Sequence, residues 1–207
     1  QTKDVDKTLQ QIESTQSKIV ISGSANDTLW IDLDNTQISW IGRKVTGQHS
    51  GTLNLSDGWV IMEDDLLKSR QLTFDMHSIK NIDIESPEWK LKLEEHLKDA
   101  DFFAVDSFPQ AILNISGCQA IFKQNSTNTL KVLADLTIRD ITHEISFPIS
   151  LQRSGQFFSV EGTVDIDRTL YNIQYKSGQF FADLGDRMIY DIFSVQFIVQ
   201  TKPILKK

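Results

Sequence analysis

Four histidines, His49, His77, His96 and His143, and a lone Cys118 are the side chains with the most chemistry in them. The histidines stand far apart, and no two share the spacing that places metal ligands on one element. One cysteine excludes a disulfide framework within the chain and any Cys-rich zinc site. Cys118 reads as a small residue on a strand, since free cysteine is among the most buried side chains. Asp183, Asp186 and Asp191 could be mistaken for a carboxylate set; they read as turn caps and partners of Arg187. No nucleophile elbow and no Gly-rich phosphate loop occurs. Catalysis therefore finds little support, and the expectation is a protein that is not an enzyme.

A second group could meet the polar end of a ligand. Arg168 continues the parity of Val164 and Ile166, so it should point inward near a strand end. Lys44 continues the parity of Ile38 and Trp40, and His49 that of Leu53 and Leu55. Tyr175 and Lys176 follow in a Tyr-Lys-Ser-Gly turn. A phosphate or quinone oxygen could be held by such groups. The plainer alternatives are an ion pair of Arg168 with Asp165, Asp167 or Asp186, and a hydrogen-bonded core role for His49.

These residues must be positioned by strands. Leu72, Phe74 and Met76 alternate with polar neighbours, as do Leu130–Ile138, Ile145–Leu151, Phe158–Ile166 and Phe193–Val199. Alternation with one apolar face is what antiparallel strands over a single core require. Turn signals at Ser56-Asp57-Gly58, Asn125–Asn128, Arg139-Asp140 and Ser154-Gly155 separate the runs. The pattern predicts an all-β fold, an up-and-down sandwich or barrel; about eight strands would enclose side chains or one small ligand. One segment departs from it. Ser86-Pro87-Glu88 signals a helix start, and Trp89, Leu93, His96 or Leu97, and Ala100 recur at helical spacing. One helix is expected over about 86–99. Phe102, Phe103 and Phe108 follow at once. They either plug one end of the barrel or line the mouth of an apolar cavity.

The chain has 207 residues, 40% of them hydrophobic, and a formal charge of −7. Lys and Arg are scattered, which excludes a surface that tracks nucleic-acid phosphates. No run of about 18 apolar residues is present to form a transmembrane helix. Residues 1–28 are polar and read as a leader or tether, partly helical through Val5, Leu9 and Ile12. Residues 29–202 read as one domain, and 203–207 as a tail. Asn-X-Ser/Thr triplets begin at Asn26, Asn54, Asn114 and Asn125; such triplets arise often by chance.

Four blocks carry a resemblance. HLKDADFFAVDSFPQA (96–111) resembles a characteristic segment of the YceI family of lipocalin-like, polyisoprenoid-binding proteins. WIDLDNTQISWIGRKVTGQHSGTLNLSDG (30–58) is similar to its opening strands, and LADLTIRDITHEISFPISL (133–151) to its central hairpin. DIDRTLYNIQYKSGQFFADLGDRMIYDIFSVQFIV (165–199) is similar to its closing block. Asp140 departs from the glycine usual at the hairpin turn, but Asp tolerates a positive φ better than most residues. The resemblance implies an extended antiparallel lipocalin-like β-barrel with a long cavity for an isoprenoid or fatty-acyl chain. It also implies a periplasmic or secreted location, often a dimer, and an anchor attached upstream of Gln1. On that reading the cavity lining is Phe74, Met76, Phe102, Phe103, Phe108, Leu113, Ile115, Leu136, Phe147, Val164, Ile166, Phe180, Phe181, Phe193 and Phe197. No metal or catalytic cofactor is expected; a bound isoprenoid, quinone or fatty-acid-like lipid is. The rival readings are a stress-response interaction module with a filled barrel and a lipid-modifying enzyme.

Overall fold

Runs of β-branched and aromatic residues at period two become strands because each can lay one apolar face against a shared interior. In the computed structural model, which describes residues 27–63, 66–68, 71–124 and 127–203, ten strands form one antiparallel sheet. In chain order they are β1 (Asp27–Trp30), β2 (Gln37–Lys44), β3 (Gly47–Glu63), β4 (Leu66–Lys68) and β5 (Gln71–Asn81), then helix α1 (Pro87–Lys98). After it come β6 (Gln110–Gln124), β7 (Thr127–Ile138), β8 (Ile141–Ser154), β9 (Phe157–Asp167) and β10 (Ile192–Gln200). The 3-10 helices η1 (Arg168–Tyr171) and η2 (Gly185–Arg187) lie between β9 and β10. The pairing runs β3-β2-β10-β9-β8-β7-β6-β5, and a β3–β5 contact closes the ring into an eight-stranded barrel. β1 and β4 pair with the far half of β3. Of the leader expected over 1–28, residues 1–26 lie outside the described residues, as do 204–207 of the expected tail, while Asp27 and Thr28 belong to β1.

Alternation holds along β7, where Leu130, Val132, Ala134, Leu136 and Ile138 are all buried. It shifts where strands bulge. β3 changes register between Leu55 and Asp57, so Leu53 and Leu55 face inward and then Val60 does. β6 shifts between Ile115 and Gly117, and Cys118 takes the inward position. A bulge adds one residue and flips every side chain after it to the other face.

The β7–β8 hairpin turns on Arg139 and Asp140, at φ 52 and 58. Two consecutive positive-φ residues are the mark of a type I′ turn, whose twist matches the strands it joins. Arg139 holds this conformation with its side chain engaged. Its Nη1 donates to the carbonyls of Phe102 and Asn172, at 3.0 and 2.9 Å.

Helix α1 starts with Pro87 in the first turn and Glu88 beside it, as expected, but Ser86 makes no side-chain capping bond. Its inward stripe differs from the sequence reading. Leu93, Glu94 and Leu97 are half-buried against the barrel, while Trp89 and Ala100 are exposed. Trp89 lies under the Lys92 ammonium, 4.9 Å from the ring centre. The Glu94 carboxylate accepts the Asn81 backbone N–H at 2.8 Å, which fixes α1 to the end of β5. A helix in contact through one edge needs a narrower apolar stripe than one set into a core.

Candidate ligand cavity

Inward-facing side chains from all eight barrel strands meet around a cavity of about 760 Å³. Its wall is mostly hydrocarbon. Ile38 and Trp40 come from β2, Leu72, Phe74, Met76 and Ile79 from β5, and Leu113 and Ile115 from β6. Leu130, Val132 and Leu136 come from β7, Ile145, Phe147 and Ile149 from β8, Val164 and Ile166 from β9, and Phe193, Val195 and Phe197 from β10. Several of these, such as Phe74, Val164 and Phe197, point inward yet are only half-buried. Protein interiors pack at crystal-like density with few voids larger than a water. Side chains that face the interior and keep free surface therefore border unfilled space.

One end is partly closed by aromatics, beside Arg168 and Tyr190. Phe102 is buried, and its ring centre lies 6.2 Å from Phe103 and 5.7 Å from Tyr175. Phe103 meets Phe193 edge-on at 6.2 Å. The His96 ring stands edge-on to Phe102 and Tyr175, at 5.1 and 4.6 Å. The two readings of this cluster thus merge: Phe102 and Phe103 plug the end and line the cavity at once. Phe108 does neither. It borders no part of the cavity and lies near the Arg139 guanidinium, 6.0 Å away.

Phe180 and Phe181 also fall outside the cavity, 47% and 50% exposed in the loop after η1. The other twelve aromatic and aliphatic candidates named from sequence, Phe74 to Phe197, do border it. Sequence reasoning missed Trp40, Ile79, Leu97, Cys118, Ile173 and Tyr190. Trp40 was open to parity with Ile38. Ile79 and Cys118 lie beyond bulges, and Ile173 and Tyr190 come from irregular segments that carry no period.

Polar candidates separate more sharply. Arg168 is buried at the cavity's edge, as its parity indicates, but four hydrogen bonds already engage it. Nε donates to the Tyr190 carbonyl at 3.2 Å, Nη1 to Ile173 at 2.8 Å, and Nη2 to Ile189 and the Asp191 carboxylate, both at 3.1 Å. Its ion-pair partner is Asp191, correcting the expectation of Asp165, Asp167 or Asp186. Burial pulls the Arg168 pKa down, and Asp191 and Asp167 oppose that pull. Arg168 therefore clamps the segment before β10 across the barrel end. Asp191 is accordingly not a partner of Arg187, whose Nε reaches the Leu184 carbonyl.

Lys44 is exposed and borders no cavity surface. Tyr175 and Lys176 stay behind the aromatic plug; the Lys176 ammonium lies over the Tyr175 ring at 5.0 Å. His49 turns to the rim, where Nδ1 is 3.0 Å from Asp83 Oδ2. Burial raises the Asp83 pKa, but hydrogen bonds from the Ser50 N–H, His49 and Asn81 outweigh it and leave the carboxyl below its ordinary value. The other charged residue at the cavity edge, Arg43, has outward parity and donates to Ser194 Oγ at 3.0 Å. Burial pushes the Cys118 thiol up to about 11, which keeps it protonated and unreactive. The Trp40 indole N–H is fully covered and has no partner. Among the described residues no three metal-ligating side chains come together.

Among the described residues, a closed eight-stranded barrel, an apolar cavity and helix α1 beside its end define the architecture. Against known families, the YceI-like domain matches residues 30–201. The chain belongs to that family. A search of curated proteins finds no significant match. Among solved structures, BcnA of Burkholderia cenocepacia is similar over 83% of this chain and 99% of its own, at 16% identity and a TM-score of 0.61. A polyisoprenoid-binding domain from Saccharophagus degradans, implicated in plant cell wall breakdown, is similar over 85% of this chain and 98% of its own, at 14% identity and a TM-score of 0.63. A YceI protein of Campylobacter jejuni follows at 14% identity and a TM-score of 0.50, over 67% of this chain and 74% of its own. At these identities the structural likeness is one of fold.

Proposed function

We propose that this YceI-like protein binds a chain-like lipid, an isoprenoid or fatty-acyl molecule, and holds or carries it without changing it. One observation carries the reading: the cavity of about 760 Å³ with a mostly hydrocarbon wall. Small-molecule pockets run from roughly 300 to 1,000 Å³. Each methylene moved from water into such a wall contributes about 0.8 kcal/mol, so a chain needs few polar contacts to be held. The relative from Saccharophagus degradans is described as polyisoprenoid-binding, which supports the same class of ligand here.

Against catalysis stands the state of the polar groups. Arg168, Arg43 and His49 already have protein partners, and Cys118 is held protonated. No nucleophile and base converge on the cavity among the described residues. The reading of a filled interaction barrel is disfavoured by the free surface on Phe74, Val164 and Phe197. Export to the periplasm or cell surface, an anchor upstream and pairing into a dimer are proposed on the family likeness alone.

Native mass spectrometry of gently purified protein, followed by organic extraction, tests this. The expected result is a one-to-one adduct that releases a prenyl, quinone or acyl lipid. A bare mass that added prenols and fatty acids leave unchanged would overturn it.

A further inference from the structure

Two observations meet at one rim of the barrel, where β2 ends. Gly42 lies on the inward parity of Ile38 and Trp40 and borders the cavity. A Cβ built on it meets nothing within 4 Å, so the wall there faces open space. Beside it, Tyr190 donates its backbone N–H to the Arg43 carbonyl at 3.0 Å. Tyr190 borders the cavity and is also 47% exposed, so one residue belongs both to the interior and to the surface.

The segment around Tyr190 exposes several apolar side chains. Leu170, Phe180, Phe181, Tyr190 and Ile192 are all exposed, on the segment that runs from η1 to the start of β10. The segment is pinned. The backbone N–H groups of Phe180 and Phe181 both donate to the Ser177 carbonyl, Ile189 donates to Lys176, and Arg168 holds residues 189–191. The exposed rings are therefore presented by an ordered loop.

We propose that the Gly42–Tyr190 rim, which lies beside the aromatic plug at the same end of the barrel, is the mouth of the cavity, and that these exposed apolar side chains dock it on the surface of a lipid bilayer. The proposal rests on the lipid-binding reading above. A chain that the cavity wall accepts is a chain that water rejects, so its source is a bilayer. An apolar patch continuous with the cavity through Tyr190 lets the ligand pass between the two apolar phases without crossing water. A second protein copy seated on the same patch would instead seal the mouth. The patch suits an interface, since aromatic rings with a polar edge favour the headgroup region. Charges beside it are mixed, with Lys176 and Arg187 against Asp183 and Asp186. Docking is therefore through apolar burial, and zwitterionic lipid suffices.

The test uses the full chain with phosphatidylcholine vesicles that carry a fluorescent prenol. Co-sedimentation reads docking, and fluorescence reads transfer into the protein. Replacing both rings, Phe180→Ser with Phe181→Ser, should lower vesicle binding and transfer about tenfold or more, since half of each ring is already in water. Melting temperature and binding of prenol delivered from detergent should stay at wild-type levels. Gly42→Phe should dock like wild type and transfer slowly, with its ring standing in the mouth. Wild-type protein that ignores vesicles would overturn the proposal, as would a double variant with unchanged transfer. So would a wild-type dimer that the double variant converts to monomer, because the patch would then be a subunit interface. Failure of wild type to take prenol even from detergent would sink the lipid-binding reading itself.

Discussion

Gly51 and Asp83 show how single residues hold the seam that closes the barrel. A Cβ at Gly51 would fall inside contact distance of the Lys80 carbonyl oxygen on β5 and of the Trp40 ring on β2. Neither a backbone carbonyl nor a packed indole yields cheaply. Gly51→Ala should cost about 2–3 kcal/mol, read as a lower urea midpoint with an unchanged slope. Asp83 ties β3 to the end of β5 through His49, Ser50 and Asn81. Its folded pKa is lowered from an ordinary value of 3.8, so its contribution is fully present above that value. It is lost as pH falls through the lower folded value. Asp83→Asn should therefore flatten the acid limb of a melting temperature against pH profile, and leave the neutral region with a small uniform loss. At this scale the sequence was a partial guide. Parity turns Arg168 inward, and it lies at the cavity's edge, yet no pattern shows that three carbonyls and Asp191 engage its guanidinium.

Elements were legible where their period was regular. β7 to β10 follow the alternation, and α1 lies within a residue of its sequence boundaries at each end. Two things escaped. Bulges in β3 and β6 shift the inward set, so Val60 and Cys118 face the cavity out of phase with the residues before them. Irregular segments carry no period at all, which is why the adjacent Phe180 and Phe181 read as lining and are instead half in water. The connection between elements is also carried by side chains that turn chemistry alone does not forecast. Arg139 occupies a positive-φ position that Gly or Asn would fill with less strain, and it ties the β7–β8 turn to the aromatic plug and to Asn172. Arg139→Ala keeps the strained backbone and removes both bonds. The variant should lose about 1–2 kcal/mol. Hydrogen exchange should show faster opening at Ala104 and Val105, the residues that follow the plug, while the β7–β8 ladder stays protected.

The described residues form a container walled mostly by hydrocarbon, with Arg168–Asp191 and His49–Asp83 paired at its rim. Most of that architecture was open to a reading of the chain, because strand number, turn spacing and one helix signal all agree. The extent of the cavity was not, because a filled barrel and a hollow one use the same residue types at the same parity. Only the balance of side-chain volume against barrel size separates them, and that balance depends on bulges and on the plug.

The measurement closest to the central claim is a titration of the protein with prenols of increasing chain length. If burial in the cavity drives binding, affinity should climb by up to about fourfold per added methylene, then level off when the cavity is full. Val164→Trp, which places a larger ring in the same space, should bring that plateau to a shorter chain. Affinity that stays flat along the series, or a plateau that Val164→Trp does not move, would contradict the account.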